Sequence, residues 1–192
     1  FIDSELQVAE KDEKKYSGQF VSSALNLQKN NSSAAIIGGG DGGVARELLS
    51  KGFDLIDWYE LDPEVVKVCQ KHLPKICGDT KANNKVKTYW GDAFESIKKV
   101  KDSKYDKIFV DLNDDQFCIN LAAKNMKGLK RILKPNGVLT AQVGCMSKKP
   151  KQVKNWLDLL KNNFGNVVLD EVFIPSFDCR WNFASSLNKN QS

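Results

Sequence analysis

Histidine is almost absent: the 192 residues hold one, His72. The five cysteines, Cys69, Cys77, Cys118, Cys145 and Cys179, are odd in number and include no CxxC pair. A zinc ligand set is therefore missing and no metal is expected. The cysteines are read as reduced thiols of a cytoplasmic protein. Cys118 and Cys145 fall near the candidate site in sequence, but neither has a neighbour that would make it a nucleophile. No apolar run approaches the roughly 20 residues that cross a bilayer, so no membrane partner is expected. Internal repeats and low-complexity segments are also lacking. The net charge of +5 comes from dispersed lysines (Lys98, Lys99, Lys101 and Lys104; Lys148, Lys149 and Lys151) without interleaved aromatics. They read as a solvated surface, and no nucleic-acid partner is expected. The chain begins at Phe1 rather than Met, as expected of a fragment.

What is present is a rhythm. Residues Ile2–Val8 alternate as a strand would, and Asp12–Leu27 reads as a helix. Short apolar runs then follow at Ala34–Ile37, Leu55–Tyr59, Val86–Tyr89, Lys107–Val110, Gly137–Gln142 and Val167–Phe173, with a last strand at Trp181–Ser185. Between them the spacing predicts helices at Gly43–Ser50, Pro63–His72, Ala93–Lys99, Cys118–Leu133 and Pro150–Phe164. Asp62-Pro63 supplies an N-cap and a first-turn proline, and Lys134-Pro135-Asn136-Gly137 reads as a turn. Short strands alternating with helices predict a mostly parallel sheet covered on both faces, an α/β Rossmann-like fold. Trp58, Tyr59 and Trp90 read as packing residues, Trp156 as core and His72 as a helix-end or surface residue.

The run Ile36-Ile37-Gly38-Gly39-Gly40-Asp41-Gly42-Gly43 is strand, glycine turn, helix. Glycine there allows a tight turn and close approach of a ligand. Glu60 lies 22 residues after Gly38 at the end of the next apolar run. That is near the spacing of about 20 for an acid that grips a ribose. Asp62 better fits a helix cap. Asp92, in Trp90-Gly91-Asp92-Ala93, either meets an adenine or caps the next helix. Asp41 inside the turn would repel an S-adenosylmethionine carboxylate by about 4 kcal/mol at 4 Å. It would attract the ammonium of the decarboxylated form, unless it caps the helix and points away. Asp111, Asp114 and Asp115 follow a buried strand and suit a cationic substrate, though Asp114 or Asp115 could cap the next helix. A methyltransferase acting on bases or amides would often carry a proline pair here, and this loop has none.

Gly38–Glu47 closely resembles the signature loop of the spermidine and spermine synthases, the aminopropyltransferases. Leu6–Tyr16 is similar to the family's opening segment, and Glu60, Gly91-Asp92, Asp111, Gln142, Phe173–Phe177 and Trp181–Phe183 follow in its order. The resemblance spans nearly the whole chain. It implies the S-adenosylmethionine-dependent methyltransferase-type fold and aminopropyl transfer from decarboxylated S-adenosylmethionine to a polyamine. That donor would be a co-substrate, with no permanently bound cofactor. It implies donor contacts from Gln7, Gly38, Gly40, Asp41, Gly42, Glu60, Leu61, Asp92 and Ala93. Asp111 would be the base, assisted by Tyr16; Asp114 would anchor the acceptor, with Gln142, Phe177 and Trp181 beside it. It further implies a remnant of an N-terminal β domain in 1–19, a catalytic domain in 20–187, a frayed tail in 188–192, and a homodimer in the full-length protein.

Three features depart from the family: Ser17-Gly18 replace His-Glu, Asp115 stands where a proline is usual, and Phe177 replaces a tyrosine. Asp111-Leu112 and Cys77-Gly78-Asp79 lean toward spermine synthase. Two alternatives stay open: a methyltransferase of the same fold, and a binding homologue with a degraded acceptor site.

Overall fold

A computed structural model describes residues 6–189. The expected strand at Ile2–Val8 falls mostly outside them, and Leu6–Val8 is irregular. The first element is α1 (Glu13–Leu27), which runs across the expected boundary at residues 19 and 20 and buries Phe20, Val21 and Ala24. Then come β1 (Ser33–Gly38), α2 (Gly43–Ser50), β2 (Leu55–Glu60), α3 (Pro63–His72), the short α4 (Pro74–Cys77), β3 (Val86–Trp90) and α5 (Ala93–Ile97). The rest is β4 (Tyr105–Asp111), α6 (Gln116–Ile132), β5 (Leu133–Cys145), α7 (Pro150–Phe164), β6 (Val168–Ile174), a 3-10 turn (Pro175–Phe177) and β7 (Cys179–Leu187).

The seven strands form one sheet in the order β3-β2-β1-β4-β5-β7-β6. Strands β1 to β5 are parallel, and β7 and β6 add an antiparallel edge. Strands β1 and β4 are buried almost throughout because helices cover both faces. On one face, Phe20 of α1, Val44 and Leu48 of α2 and Val66 of α3 pack with Ile36, Trp58 and Phe109. On the other, Phe94 of α5, Met126 of α6 and Trp156 and Leu160 of α7 pack with Ile37, Ile108 and Leu139. Each helix thus turns an apolar stripe to the sheet, which is what forms it here.

Two local expectations give way. The Lys134–Gly137 turn lies inside β5 as a bulge, with Asn136 at φ 60°. Asn136 N donates to the Asn188 carbonyl at 2.8 Å, so the end of the chain supplies the partner that keeps the strand going. Cys145 and Cys179 are joined as a disulfide rather than held as free thiols. Strands β5 and β7 run antiparallel with Cys145 opposite Trp181, which brings the two Cα atoms within 6.3 Å, inside bridging range. Cys69, Cys77 and Cys118 are unpaired.

Strand order reverses between β1 and β4, and the loops leaving their carboxyl ends diverge there. This is the position at which open α/β sheets form a ligand crevice.

Candidate active site

The β1–α2 loop folds through glycines in left-handed conformations: Gly38, Gly39 and Gly42 have φ of 84°, 70° and 79°. A Cβ on Gly38 would strike the Asp111 carbonyl, and one on Gly39 would lie 2.9 Å from Asp111 Oδ2. Gly39 N donates to that carbonyl at 3.1 Å, so the glycine turn and the end of β4 are locked face to face. Trp58 Nε1 donates to the Gly38 carbonyl at 2.8 Å, so this buried tryptophan also holds the turn.

Glu60, at the end of β2, is 9% exposed, and burial raises its pKa. Its Oε1 accepts from Asp62 N at 3.0 Å; its Oε2 would lie 3.2 Å from a Cβ on Gly40. Asp62 caps α3 by accepting from Glu64 N, as its position predicts. Asp92 caps α5, accepting from Phe94 N at 2.7 Å, so the cap alternative is realised there. Ala93 is half-buried against the core, Leu61 is 70% exposed, and Gln7 is partly buried without a side-chain hydrogen bond among the described residues.

Asp41 partly follows its cap reading. Its Oδ1 accepts from Gly43 N at 2.7 Å, while Oδ2 has no hydrogen-bond partner among the described residues. Burial, then the charge of Asp111, pushes its pKa up to about 7. Cys77 Sγ donates to the Asp41 carbonyl at 3.0 Å and packs under Gly42.

At the centre, Tyr16 reaches from α1 and donates its hydroxyl to Asp111 Oδ1 at 2.7 Å. Burial raises the Asp111 pKa to about 6, although the Tyr16 bond opposes the rise. Burial, then the negative charges of Asp111, Asp41 and Asp114, holds the Tyr16 hydroxyl protonated far above its ordinary range. One phenol therefore senses all three carboxylates. The Tyr16 ring lies edge-on to Phe177 at 6.3 Å and Phe183 at 5.1 Å. Phe177 packs on Trp181 at 4.8 Å. Trp181 Nε1 donates to Gln142 Oε1 at 3.1 Å, and Gln142 Nε2 donates to the Leu112 carbonyl. The Gln142 amide is thus engaged at both ends and fixes the backbone beside Asp111. Asp12 clamps the wall by accepting from Ser176 N at 2.7 Å and Ser176 Oγ at 2.8 Å.

Two of the departures are structural. Asp115 accepts from Cys118 N and caps α6. Ser17 is buried and donates to Glu13, which pairs with Arg46 at 2.7 Å, so it braces α1 on α2. Sequence reading missed Glu13–Arg46 and the ion pair between Lys149 and Asp114 at 3.1 Å, because partners 33 and 35 residues apart leave no local signal. A groove lined by Tyr59, Tyr89, Ser96 and Lys104 holds none of the candidate residues.

The glycine turn, the Glu60 carboxylate and the Asp111–Tyr16 carboxylate–phenol pair meet at the switch point of a Rossmann-like α/β sheet. The spermine/spermidine synthase domain matches residues 13–192, and the chain belongs to that family. A polyamine aminopropyltransferase of Prochlorococcus marinus (strain MIT 9215) is 36% identical over 192 residues, covering 95% of this chain and 66% of that protein. One from strain NATL1A is 33% identical over 197 residues, with 97% and 67% covered. The chain thus spans about two thirds of the length of these curated relatives. Among solved structures, a spermidine synthase in complex with the transition state analogue AdoDATO aligns with a TM-score of 0.87 at 20% identity, covering 95% of this chain and 63% of that one. Spermidine synthase from Thermotoga maritima aligns at 0.86 and 21%, with 95% and 62% covered. At such identities these two establish the fold, the expected Rossmann-like α/β class. Among the described residues no helix is long and apolar enough to cross a membrane.

Proposed function

We propose that the chain carries the catalytic domain of a polyamine aminopropyltransferase. The observation that carries the reading is the buried Tyr16–Asp111 pair, a neutral donor on a carboxylate, with Asp41 and Asp114 near enough for their charges to act on the same hydroxyl. The donor would be decarboxylated S-adenosylmethionine, with Glu60 on its ribose, Asp41 on its ammonium, and Gln7, Leu61, Asp92 and Ala93 beside it. The acceptor amine would lie between Asp111 and Asp114 against Phe177 and Trp181.

The chemistry follows from the charges. A free alkyl amine has a pKa of about 10.4, so it arrives protonated and cannot attack. A partly buried Asp111, with its pKa raised to about 6, takes a proton more readily than an ordinary carboxylate yet is still ionised at neutral pH. The freed nitrogen attacks the methylene carbon next to the sulfonium. A C–N bond forms, the C–S bond breaks with its electron pair going to sulfur, and methylthioadenosine leaves. Alignment of the two reactants can supply several kcal/mol of the barrier reduction, about 7–11 for an ideal near-attack geometry. Tyr16 keeps its proton and holds Asp111 in place.

The acceptor is putrescine or spermidine. Cys77-Gly78-Asp79, part of the leaning toward spermine synthase, packs beneath Asp41 at the donor end and so bears little on acceptor choice. A cytoplasmic setting suits the three unpaired thiols, whereas the Cys145–Cys179 bond is unusual there. Residues 13–19 belong to α1 and pack on the catalytic sheet, so a further β-rich domain that would complete a homodimer would join the chain ahead of them.

Asp111→Asn tests the reading. Turnover with decarboxylated donor and either amine should fall by about 10² to 10⁴, with donor affinity by calorimetry unchanged. Unaltered turnover would refute the role of Asp111. Methyl transfer from intact S-adenosylmethionine without aminopropyl transfer would favour a methyltransferase.

A further inference from the structure

Resting on the reading above, we propose that Lys149 is a specificity-determining residue: its ammonium occupies Asp114 in the manner of the acceptor's remote ammonium, and a polyamine must displace it to be anchored there. Four observations meet at this point. Lys149 Nζ donates to Asp114 Oδ1 at 3.1 Å, with the Asp114 side chain 14% exposed and that of Lys149 37%. Lys149 is the N-cap residue of α7, whose first turn holds no acid. A cation is disfavoured at a helix N-terminus by the exposed amide dipoles, so Asp114 offsets a local cost. Gly144, at φ 87°, lets Asp114 lie against the β5 backbone, since a Cβ there would be 2.7 Å from Asp114 Oδ2.

The fourth observation is the strap that carries the lysine. Lys149 N donates to the Cys145 carbonyl at 2.8 Å, Met146 N to Asn182 Oδ1 at 3.0 Å, and Lys148 Nζ to the Phe177 carbonyl at 2.7 Å. Residues 145–149 therefore bridge the acid loop before α6 and the aromatic wall against Tyr16. Lys149 is the cation this strap delivers to the acceptor side of a cleft otherwise lined by Asp41, Glu60, Asp111 and Asp114. It leaves Asp111 free to receive the reacting nitrogen and makes the second carboxylate conditional on displacement.

The discriminating feature is the number of ammonium groups on the acceptor. Calorimetry on the full chain, saturated with methylthioadenosine, would compare 1,4-diaminobutane with n-butylamine. Removing the internal competitor by Lys149→Ala should tighten diamine binding on the order of fivefold and leave butylamine unchanged. Lys149→Arg should behave as wild type, and the gain should vanish in Lys149→Ala with Asp114→Asn. In turnover the gain should appear in the diamine KM and not in kcat. Lys149→Met, which keeps the apolar stem, serves if the alanine variant has a lowered Tm. An equal change for both amines, no diamine-selective gain, or no diamine binding by any variant would overturn the proposal. Absence of aminopropyl turnover alongside a diamine-selective gain would sink the functional reading and leave the role of Lys149 standing.

Discussion

Asp41→Asn tests the proposed donor contact, because one carboxylate oxygen is bound to the Gly43 backbone and the other has no partner among the described residues. The substitution keeps an acceptor for Gly43 N, whose 2.7 Å bond uses only Oδ1. It removes the charge that would face the donor ammonium. An ion pair at 4 Å with an effective dielectric near 20 has an upper limit of about 4 kcal/mol. Asp41 has a pKa of about 7, so ionising it at pH 7 costs roughly 0.4 kcal/mol. Partial exposure screens the pair further, leaving about 2 kcal/mol, some thirtyfold in Kd. Calorimetry should show that loss for decarboxylated S-adenosylmethionine and equal or tighter binding of the intact form. The same carboxylate costs stability. Its folded pKa is raised, so the native state holds its proton more tightly than the unfolded chain. Wild-type stability is then lost as pH rises from about 4 through 7. The Tm of Asp41→Asn should match wild type near pH 4 and exceed it at pH 8, by the equivalent of about 1–2 kcal/mol. Unchanged donor selectivity, with no pH-dependent Tm gap, would refute the assignment of Asp41 to the donor tail.

Other perturbations follow from the same geometry. Tyr16→Phe deletes a bond that lowers the Asp111 pKa, so the acid limb of kcat/KM should move upward from about 6; the loss should be about tenfold at pH 6 and smaller at pH 8. Reducing Cys145–Cys179, which closes a 34-residue separation, should cost about 4 kcal/mol and lower Tm by roughly 8–15 °C; scanning calorimetry with and without reductant, or of Cys145→Ser, would read it. Gly43→Ala should destabilise by about 2 kcal/mol or more, because its Cβ would meet Glu13 and lie 2.7 Å from Ser17 Oγ in the buried brace of α1 on α2; urea denaturation would measure it.

The parts legible in the sequence are those specified by neighbours along the chain. Helices α2, α3 and α7 have the bounds that the sequence predicts; the glycine turn and Asp62-Pro63 mark the first two starts, and the αL residue Gly165 ends α7, because caps act within four residues. The parts that were not legible depend on distant partners. Strand β5 runs through Lys134–Gly137 because Asn188 completes its bonding, which overrides a strong local turn signal. Pairing of Cys145 with Cys179 follows from an antiparallel register that no cysteine spacing encodes. Helix α4 is only four residues long, too short to carry a period. Lys149 belongs to a lysine-rich stretch that reads as solvent-facing, and only the fold brings Asp114 to it.

For the site acids, cap and ligand contact are not exclusive alternatives. Asp41 gives one oxygen to Gly43 N, Glu60 one to Asp62 N, Asp92 one to Phe94 N, and Asp111 one to the Tyr16 hydroxyl. In each case a neighbouring donor holds one oxygen and thereby aims the other. A carboxylate fixed in this way needs no reorganisation when a cation arrives, and preorganised charge of that kind is what stabilises developing charge most effectively. In the proposed function, Asp41 and Asp111, which follow the two switch-point strands, are the acids so aimed at cations. One member departs from that pattern of backbone or phenol partners: Asp115 also accepts from a backbone N–H, at the exposed α6 cap, whereas Asp114 is held by an ammonium. Among the described residues that contrast singles out Asp114 as the carboxylate of the proposed cleft paired with a cation of the chain itself, so that its availability would depend on displacing Lys149.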